Sequence, residues 1–189
     1  MAPRINLIVA VCENFGIGVS GNLPWRLKSE LAFFKRMTLS TQDAAKKNMV
    51  IMGRRTWDSI PEKFRPLPGR VNVILSRQPR CNNLPQDVQV FSSFEAVVDA
   101  LQQESMADKI ETAWVIGGSS VYQTALKSPF CHRVYLTKIN KSYDCDTFLE
   151  PIEEEYFTRV QDPAVPQDTQ VENDTTFDYI VYERISGTS

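Results

Sequence analysis

Apolar and polar positions along the chain alternate between strand-like and helix-like patterns. Eight runs rich in β-branched or other apolar residues predict strands, at 5–12, 48–53, 71–76, 88–91, 113–117, 133–139, 156–161 and 177–184. Helical periodicity lies between several of them, most clearly at 27–39, 54–60, 94–103 and 119–127. The stretch 162–176 is polar and contains two prolines, which predicts a surface loop.

The order of these elements predicts an α/β fold. The first five predicted strands alternate with helices, which favours parallel crossovers, whereas the last three do not, which favours an antiparallel edge hairpin at the C-terminal end. We therefore predict a single domain over residues 1–189. Its core would be a mixed, mainly parallel eight-stranded sheet with helices on both faces. In such sheets, ligands bind at the carboxyl ends of the strands.

Composition narrows the class of protein. With 42% hydrophobic and 23% charged residues, the chain is typical of a globular protein. The net charge of −2 gives no overall attraction to nucleic acid or to an anionic membrane. No apolar run approaches the roughly 20 residues of a membrane span, and the N-terminus lacks a signal-peptide pattern. We expect a cytoplasmic protein, and a monomer because long exposed apolar patterns are absent.

Cysteine and histidine are used sparingly. Cys12, Cys81, Cys131 and Cys145 form neither a C-x-x-C pair nor a zinc spacing, which favours a reduced intracellular compartment. His132 is the single histidine, so a histidine-rich metal site is excluded and no metal is predicted. We expect His132 to be structural, because no carboxylate or motif surrounds it in the sequence.

Three glycines follow the first predicted strand. Gly16, Gly18 and Gly21 match G-x-G-x-x-G, but the dinucleotide fingerprint needs that motif to close a tight strand-to-helix turn. Here Pro24 follows almost at once, and the helical pattern begins later, near Leu27. We therefore reject the fingerprint and predict a mobile loop that acts as a lid beside a site.

One acid interrupts an apolar helix stripe. Leu27, Leu31 and Phe34 follow the i, i+4, i+7 spacing, and Glu30 lies within that stripe. A buried carboxylate costs free energy unless a cation or a hydrogen-bond donor pairs with it. Either a buried arginine pairs with Glu30 or the acid awaits a ligand; the alternative is an ordinary acid at a helix start. A buried acid beside Phe34 suits a flat heterocycle with an N–H edge.

Basic or glycine-rich turns follow three predicted strands. They are residues 53–56, 76–77 and 117–120, which we interpret as strand-to-helix turns. Helix N-termini bind phosphate, and glycines let a ligand approach the backbone. Arginines in two of the turns favour a 2′-phosphate, hence NADPH over NADH. Arg70 follows a proline-rich segment and could clamp a carboxylate, or it is a loop arginine without a partner.

The motifs in this order resemble those of dihydrofolate reductases, and animal enzymes in particular. The resemblance covers nearly the whole chain. The matching pieces are Gly16-Ile17-Gly18, Gly21-Asn22-Leu23-Pro24-Trp25, Met52-Gly53-Arg54-Arg55-Thr56-Trp57-Asp58-Ser59-Ile60-Pro61, Pro66-Leu67-Pro68-Gly69-Arg70, Leu75-Ser76-Arg77, Ile116-Gly117-Gly118-Ser119-Ser120-Val121-Tyr122 and Asp146-Thr147-Phe148.

The resemblance implies NADPH-dependent reduction of 7,8-dihydrofolate to tetrahydrofolate, a step in one-carbon metabolism and nucleotide synthesis that antifolates inhibit. Glu30 would bind the pterin and support protonation of N5, assisted by Thr137, while Leu23 and Trp25 would line the pocket under the lid. Arg70 would pair with the glutamate carboxylate of the substrate. The implied substrate-binding residues are Ile8, Val9, Ala10, Glu30, Leu31, Phe34, Ile60, Phe64, Leu67, Arg70, Ile116, Tyr122 and Thr137.

The resemblance also implies a site for NADPH and a cis peptide bond between Gly117 and Gly118. The implied cofactor-binding residues are Ala10, Ile17, Gly18, Gly21, Asn22, Gly53, Arg54, Arg55, Thr56, Leu75, Ser76, Arg77, Ile116, Gly117, Gly118, Ser119, Ser120, Val121, Tyr122 and Thr147.

Some positions differ from the vertebrate pattern. The interval from Trp25 to Glu30 is one residue shorter, Leu31 replaces phenylalanine, and Phe64 replaces asparagine. These differences bear on antifolate affinity and on contacts with the glutamate tail, and not on the reaction.

Two other functions remain alternatives from the sequence. One is a related pterin-like reductase, such as the reductase domain of riboflavin synthesis, and the other is a non-catalytic folate- or nucleotide-binding protein.

Overall fold

The computed structural model describes residues 3–78 and 83–187, so Cys81 lies outside the described residues. The helices are α1 (Lys28–Leu39), α2 (Arg54–Ser59), α3 (Phe94–Leu101), α4 (Glu104–Ala107) and α5 (Ser119–Lys127), with a 3₁₀ turn at Glu62–Phe64. The strands are β1 (Ile5–Val11), β2 (Gly16–Gly18), β3 (Lys47–Gly53), β4 (Val71–Leu75), β5 (Gln89–Phe91), β6 (Ile110–Gly117), β7 (Cys131–Ile139), β8 (Thr147–Phe148), β9 (Phe157–Val160), β10 (Gln170–Glu172) and β11 (Thr175–Arg184).

One mixed sheet contains all eight predicted strands, which confirms the predicted fold class. Its order is β10-β11-β7-β1-β6-β3-β4-β5, with β9 paired to β11. The strands from β7 to β5 are parallel, whereas β11 is antiparallel to β7, β9 and β10. The predicted antiparallel C-terminal edge is confirmed and consists of β9, β10 and β11, while the sixth predicted strand, now β7, belongs to the parallel set.

Two predicted elements need correction. The stretch 162–176 is not wholly a loop, because β10 pairs with β11 through a tight turn at Asn173 and Asp174, both with positive φ. The helix predicted over 94–103 is α3, which ends two residues early at Leu101, and a short helix that was not predicted, α4, begins at Glu104.

Side chains of the central strands alternate between two apolar layers. In β1, Leu7 and Val9 face a layer covered by α3 and α5, whereas Ile8 faces a layer covered by α1 and α2. Adjacent strands repeat this alternation, so the sheet is buried on both faces as a parallel sheet requires. The prediction of helices on both faces is confirmed. Among the described residues, no helix is both long and apolar enough to cross a membrane.

A small second sheet lies beyond the carboxyl end of β1. There β2 pairs with β8 in antiparallel fashion. A separate apolar cluster supports this end of the molecule and contains Cys12, Trp25, Leu27, Ile139 and Phe177. The glycine loop is thus anchored on one side to the body of the protein through β8.

Candidate active site

A cleft of about 1460 Å³ lies at the carboxyl ends of the parallel strands. Ala10, Gly53, Leu75 and Gly117 mark the ends of four strands along it. Every residue predicted for the cofactor lines this cleft, and so do the predicted substrate residues Val9, Ala10, Leu31, Ile60, Phe64, Ile116 and Tyr122 together with Leu23.

Seven predicted site residues are not among those that line the cleft. They are buried or half-buried: Ile8, Trp25, Glu30, Phe34, Leu67, Arg70 and Thr137. Thr137, for example, is the register partner of the lining residue Ala10 across β1 and β7.

Glu30 is buried in the first turn of α1, with 6% of its surface exposed. The Thr137 hydroxyl, fully buried on β7, donates a hydrogen bond of 3.3 Å to Glu30 Oε1. Within the described part of the chain, no lysine, arginine or histidine forms a salt bridge with this carboxylate. Of the two uses predicted for a buried Glu30, pairing with an arginine is therefore not the one observed.

Burial sets the protonation of Glu30. Loss of hydration raises its pKa to about 7, and the hydrogen bond from Thr137 opposes that rise in part. The carboxyl group is thus close to half-protonated at neutral pH, where it both accepts and donates a proton readily.

The buried face of α1 differs from the predicted stripe. Glu30, Phe33 and Met37 face the sheet, and the Phe33 ring stacks on Tyr179 with centroids 4.0 Å apart. Leu31 is 51% exposed and lines the cleft instead. The apolar character of Leu31 reflects contact with the cleft rather than with the core, a distinction that helical periodicity alone does not contain.

Tyr122 links the cleft wall to the strand beneath it. Its phenol donates a 2.8 Å hydrogen bond to the backbone oxygen of Ile8. Burial is the main cause that raises the pKa of Tyr122, and the charge of Glu30 adds to it. The phenol is therefore a neutral hydrogen-bond donor. The charge of Glu30 acts on the Tyr122 pKa, so the two side chains interact electrostatically.

Arg70 is buried although it follows a loop, with 8% of its surface exposed. Its Nε donates to the Pro68 oxygen at 3.0 Å, and its Nη1 donates to Thr38 Oγ1 on α1 at 2.9 Å. It forms no salt bridge with a carboxylate of the described residues, and burial lowers its pKa. These contacts orient a guanidinium that has no carboxylate partner among the described residues.

Two strand-to-helix turns form a cradle at the cleft. The peptide bond between Gly117 and Gly118 is cis, as the resemblance implied. Gly117 has a φ of 129°, and a Cβ there would lie 3.2 Å from Thr56 Oγ1. Gly118 is the N-cap of α5 and supplies no side-chain acceptor for the first N–H groups of the helix, whose residues Ser119 and Ser120 line the cleft. In the other turn, Arg54 pairs with Asp58 at 3.3 Å, while Arg55 is exposed.

The third predicted turn is not a strand-to-helix turn. In the described residues, β4 leads to Ser76 and Arg77 without a following helix, and the Ser76 N–H donates to the Phe91 oxygen at 3.0 Å. The helix start that lines this part of the cleft is that of α3, with Ser92 and Ser93; the helix was predicted from residue 94, but its start was not assigned to the site. Ser93 accepts a 3.1 Å hydrogen bond from the Ala96 N–H, and a serine before a helical pattern is a recognisable N-cap signal.

The glycine loop has no dinucleotide-fingerprint geometry. Its first part is the strand β2, and no helix follows until Lys28, so rejection of that fingerprint is confirmed. Asp146, which was missed as a site residue, also lines the cleft and accepts a 2.9 Å hydrogen bond from the Ser20 N–H. The mobility of this loop stays a prediction.

His132 is structural in position but has a carboxylate neighbour that the sequence did not reveal. Its Nε2 lies 3.2 Å from Glu183 Oε1, which also accepts a 3.0 Å hydrogen bond from Arg133. Burial and nearby arginines lower the pKa of His132, against the effect of Glu183. In residues 3–78 and 83–187, no three histidine, cysteine, aspartate or glutamate side chains converge as a metal site.

Comparison with known proteins agrees with this geometry. A family model described as dihydrofolate reductase matches residues 4–184. The dihydrofolate reductase of Drosophila melanogaster is 45% identical over 183 residues, covering 97% of this chain and 99% of that protein. That of Aedes albopictus is 43% identical over 182 residues, covering 96% and 98%. The solved dihydrofolate reductase of Schistosoma mansoni has a TM-score of 0.84 and 39% identity, covering 97% and 99%. The chain belongs to the dihydrofolate reductase family.

Proposed function

We propose that this protein reduces 7,8-dihydrofolate to 5,6,7,8-tetrahydrofolate with NADPH. The observation that carries the proposal is Glu30, a buried carboxyl group without a cationic partner in the described residues, one position before the cleft-lining Leu31 on α1. Such a group accepts paired N–H bonds from the amino-pyrimidine edge of a pterin. Family membership supports the same substrate.

In this proposal, Glu30 supports protonation at pterin N5. Its pKa of about 7 keeps a proton available at neutral pH, and the Thr137 hydroxyl fixes the carboxyl orientation. Ala10, Ile116 and Tyr122 exclude water from the inner cleft and position the ring. Most of the rate then comes from positioning and from a dry, oriented proton source.

The residues at the other end of the cleft fit a phosphorylated dinucleotide. The α5 N-terminus offers backbone donors beside the Gly117–Gly118 cradle, and the exposed Arg55 and Arg77 offer charge for a 2′-phosphate. When bound, NADPH supplies the hydride for pterin C6.

Arg70 would bind the carboxylate of the substrate's glutamate tail. Its guanidinium is oriented by Pro68 and Thr38, and a bidentate pair with a carboxylate would supply the counter-charge that this buried cation lacks in the described residues. Phe64, 56% exposed beside the cleft, would pack against the same part of the ligand.

The test compares wild type with Glu30→Gln, which keeps the shape of the side chain and removes its charge and acidity. We expect wild type to consume NADPH in step with added dihydrofolate and the variant to lose most turnover, with a modest change in NADPH affinity by fluorescence titration. Wild-type turnover should fall as pH rises above about 7, since Glu30 then loses its proton. Unchanged turnover of the variant at every pH would contradict the role of Glu30.

Other outcomes separate the alternatives. NADPH oxidation on a different pyrimidine, with none on dihydrofolate, would indicate a related reductase. Tight binding of both ligands without turnover would indicate a binding protein.

A further inference from the structure

Two cysteine thiols meet beneath the glycine loop, outside the cleft. Cys12 follows β1 and is fully buried, whereas Cys145 precedes β8 and is partly exposed. Their sulfur atoms lie 3.9 Å apart although 133 positions separate them in the sequence. Both are free thiols.

The fold makes room for this pair at Gly16. A Cβ at that position would overlap Cys145 Sγ and would lie 3.0 Å from Cys12 Sγ. The Cys12 thiol donates to Asn14 Oδ1 at 2.7 Å. The absence of a side chain at Gly16 thus allows the two sulfurs to share one small pocket under β2.

We propose that Cys12 and Cys145 are a redox-active dithiol, which small-molecule disulfides such as oxidised glutathione convert to an intramolecular disulfide. The partly exposed Cys145, as thiolate, attacks the glutathione disulfide, forms a mixed disulfide and releases one glutathione. Cys12 then loses its proton and attacks Cys145 Sγ, which forms the intramolecular disulfide and releases the second glutathione. Two protein thiols are oxidised and one glutathione disulfide is reduced.

Bond formation needs the sulfurs to approach from 3.9 Å to about 2 Å. Burial and the neighbouring Cys12 thiol raise the pKa of Cys145, so exchange is slow at neutral pH. The pair therefore responds to sustained oxidising conditions rather than to brief ones.

The disulfide would restrain the loop that borders the cleft. Asp146, next to Cys145, accepts a hydrogen bond from the Ser20 N–H and donates its own N–H to the Gly18 oxygen. Oxidation would fix this segment to the end of β1. If the cleft binds NADPH as proposed above, oxidised protein should release NADPH several-fold more slowly, since loops of this kind gate ligand exchange.

The first experiment does not depend on the enzymatic activity. Reduced protein is incubated with oxidised glutathione, its intact mass is measured, and it is then alkylated and digested. We expect the intact mass to fall by two hydrogen atoms and a peptide linking Cys12 to Cys145 to form. The melting temperature should rise by about 5 °C or more, because the bond closes a long loop. Dithiothreitol should reverse both changes.

Matched controls are Cys145→Ser and Cys12→Ser, which should abolish the link, and Cys131→Ser and Cys81→Ser, which should retain it. A stable glutathione adduct on Cys145 without cyclisation, or pairing through Cys81, would overturn the proposal.

NADPH release is then compared in reduced, oxidised and Cys145→Ser protein. Equal release rates in cross-linked and reduced protein would overturn the restraint of the loop, while failure of NADPH to bind any form would count against the proposed function alone.

Discussion

At the scale of single residues, the fold buries the Glu30 carboxyl group. Among the described residues its hydrogen-bond partner is the Thr137 hydroxyl, and it has no salt bridge to a cation. Glu30 was predictable as a buried acid from its helical position, but Thr137 was not derivable from the pattern, because 107 positions separate the two residues. The pKa of Glu30, about 7, follows from that environment. Because the pKa of Glu30 differs between the folded and unfolded states, the free energy of unfolding depends on pH through this residue.

Removal of the Glu30 charge should change how stability depends on pH. The folded pKa of about 7 lies above the ordinary 4.5, so the folded state binds more protons than the unfolded state between these values. Wild-type stability should therefore lose about 3 kcal/mol from this group as pH rises from about 4.5 to above 7. Glu30→Gln lacks this loss, and the gap between the two proteins in urea unfolding should widen with pH. The exposed Glu154→Gln serves as control, and a constant gap for Glu30→Gln would contradict the raised pKa.

Loss of the Thr137 hydroxyl should move the pH profile of turnover. Thr137→Val keeps the shape of a buried side chain but removes the hydrogen bond that stabilises ionised Glu30. The pKa of Glu30 should then rise further, and the fall of turnover should move to higher pH. Steady-state rates from pH 6 to 9 measure this shift, with the exposed Thr158→Val for comparison. A shift to lower pH would show that the hydroxyl favours the protonated carboxyl.

At the scale of elements, the position of α1 depends on a strand that the sequence pattern did not predict. The Glu172 carboxylate of β10 accepts hydrogen bonds from the Lys28 and Ser29 N–H groups, at 2.6 and 2.8 Å. The Ser29 side chain, followed by these two backbone bonds, lowers the pKa of Glu172. Leu27, the N-cap residue, supplies no side-chain hydrogen bond, so a residue far along the chain caps the helix that carries Glu30.

Substitution of Glu172 should loosen the start of α1. In Glu172→Ala, the first N–H groups of the helix lose their acceptor, and a negative charge near the positive end of the helix dipole disappears. We expect a lower melting temperature and faster hydrogen exchange at residues 28–31.

The matched control for this effect is Asp174→Asn, in the same hairpin turn, where asparagine tolerates the positive φ of 58°. Equal exchange rates at the helix start in both variants would show that Glu172 does not hold α1.

At the scale of the whole molecule, a net charge of −2 conceals a local excess of positive charge along one end of the cleft. Arg55 and Arg77 come from different turns and reach the same cleft because the parallel strands β3 and β4 end side by side. A polyanionic ligand would meet this edge rather than the average charge.

Arg77→Ala should weaken binding of NADPH by about tenfold and leave NADH binding nearly unchanged, since a charge-assisted bond to phosphate would be lost. Titrations at low and moderate salt measure both affinities, and added salt should reduce the difference between the two cofactors. Lys109→Ala, an exposed cation on another surface, provides the comparison. An equal loss for NADPH and NADH would assign Arg77 to a different part of the dinucleotide.

The sequence alone determined the local features of this protein. The positions of most strands and helices follow from hydrophobic periodicity over a few residues, and so does the burial of Glu30. The glycine-rich turn at Gly117-Gly118 is also a local feature of the sequence. The order of the elements then predicted the α/β fold and a ligand site at the strand ends. Only the tertiary structure decided which distant residues meet: Thr137 with Glu30, Glu172 with the start of α1, and Cys145 with Cys12. The physical reason is that periodicity records which face of an element is apolar. The partner of a polar atom is fixed only when strands far apart in sequence become neighbours.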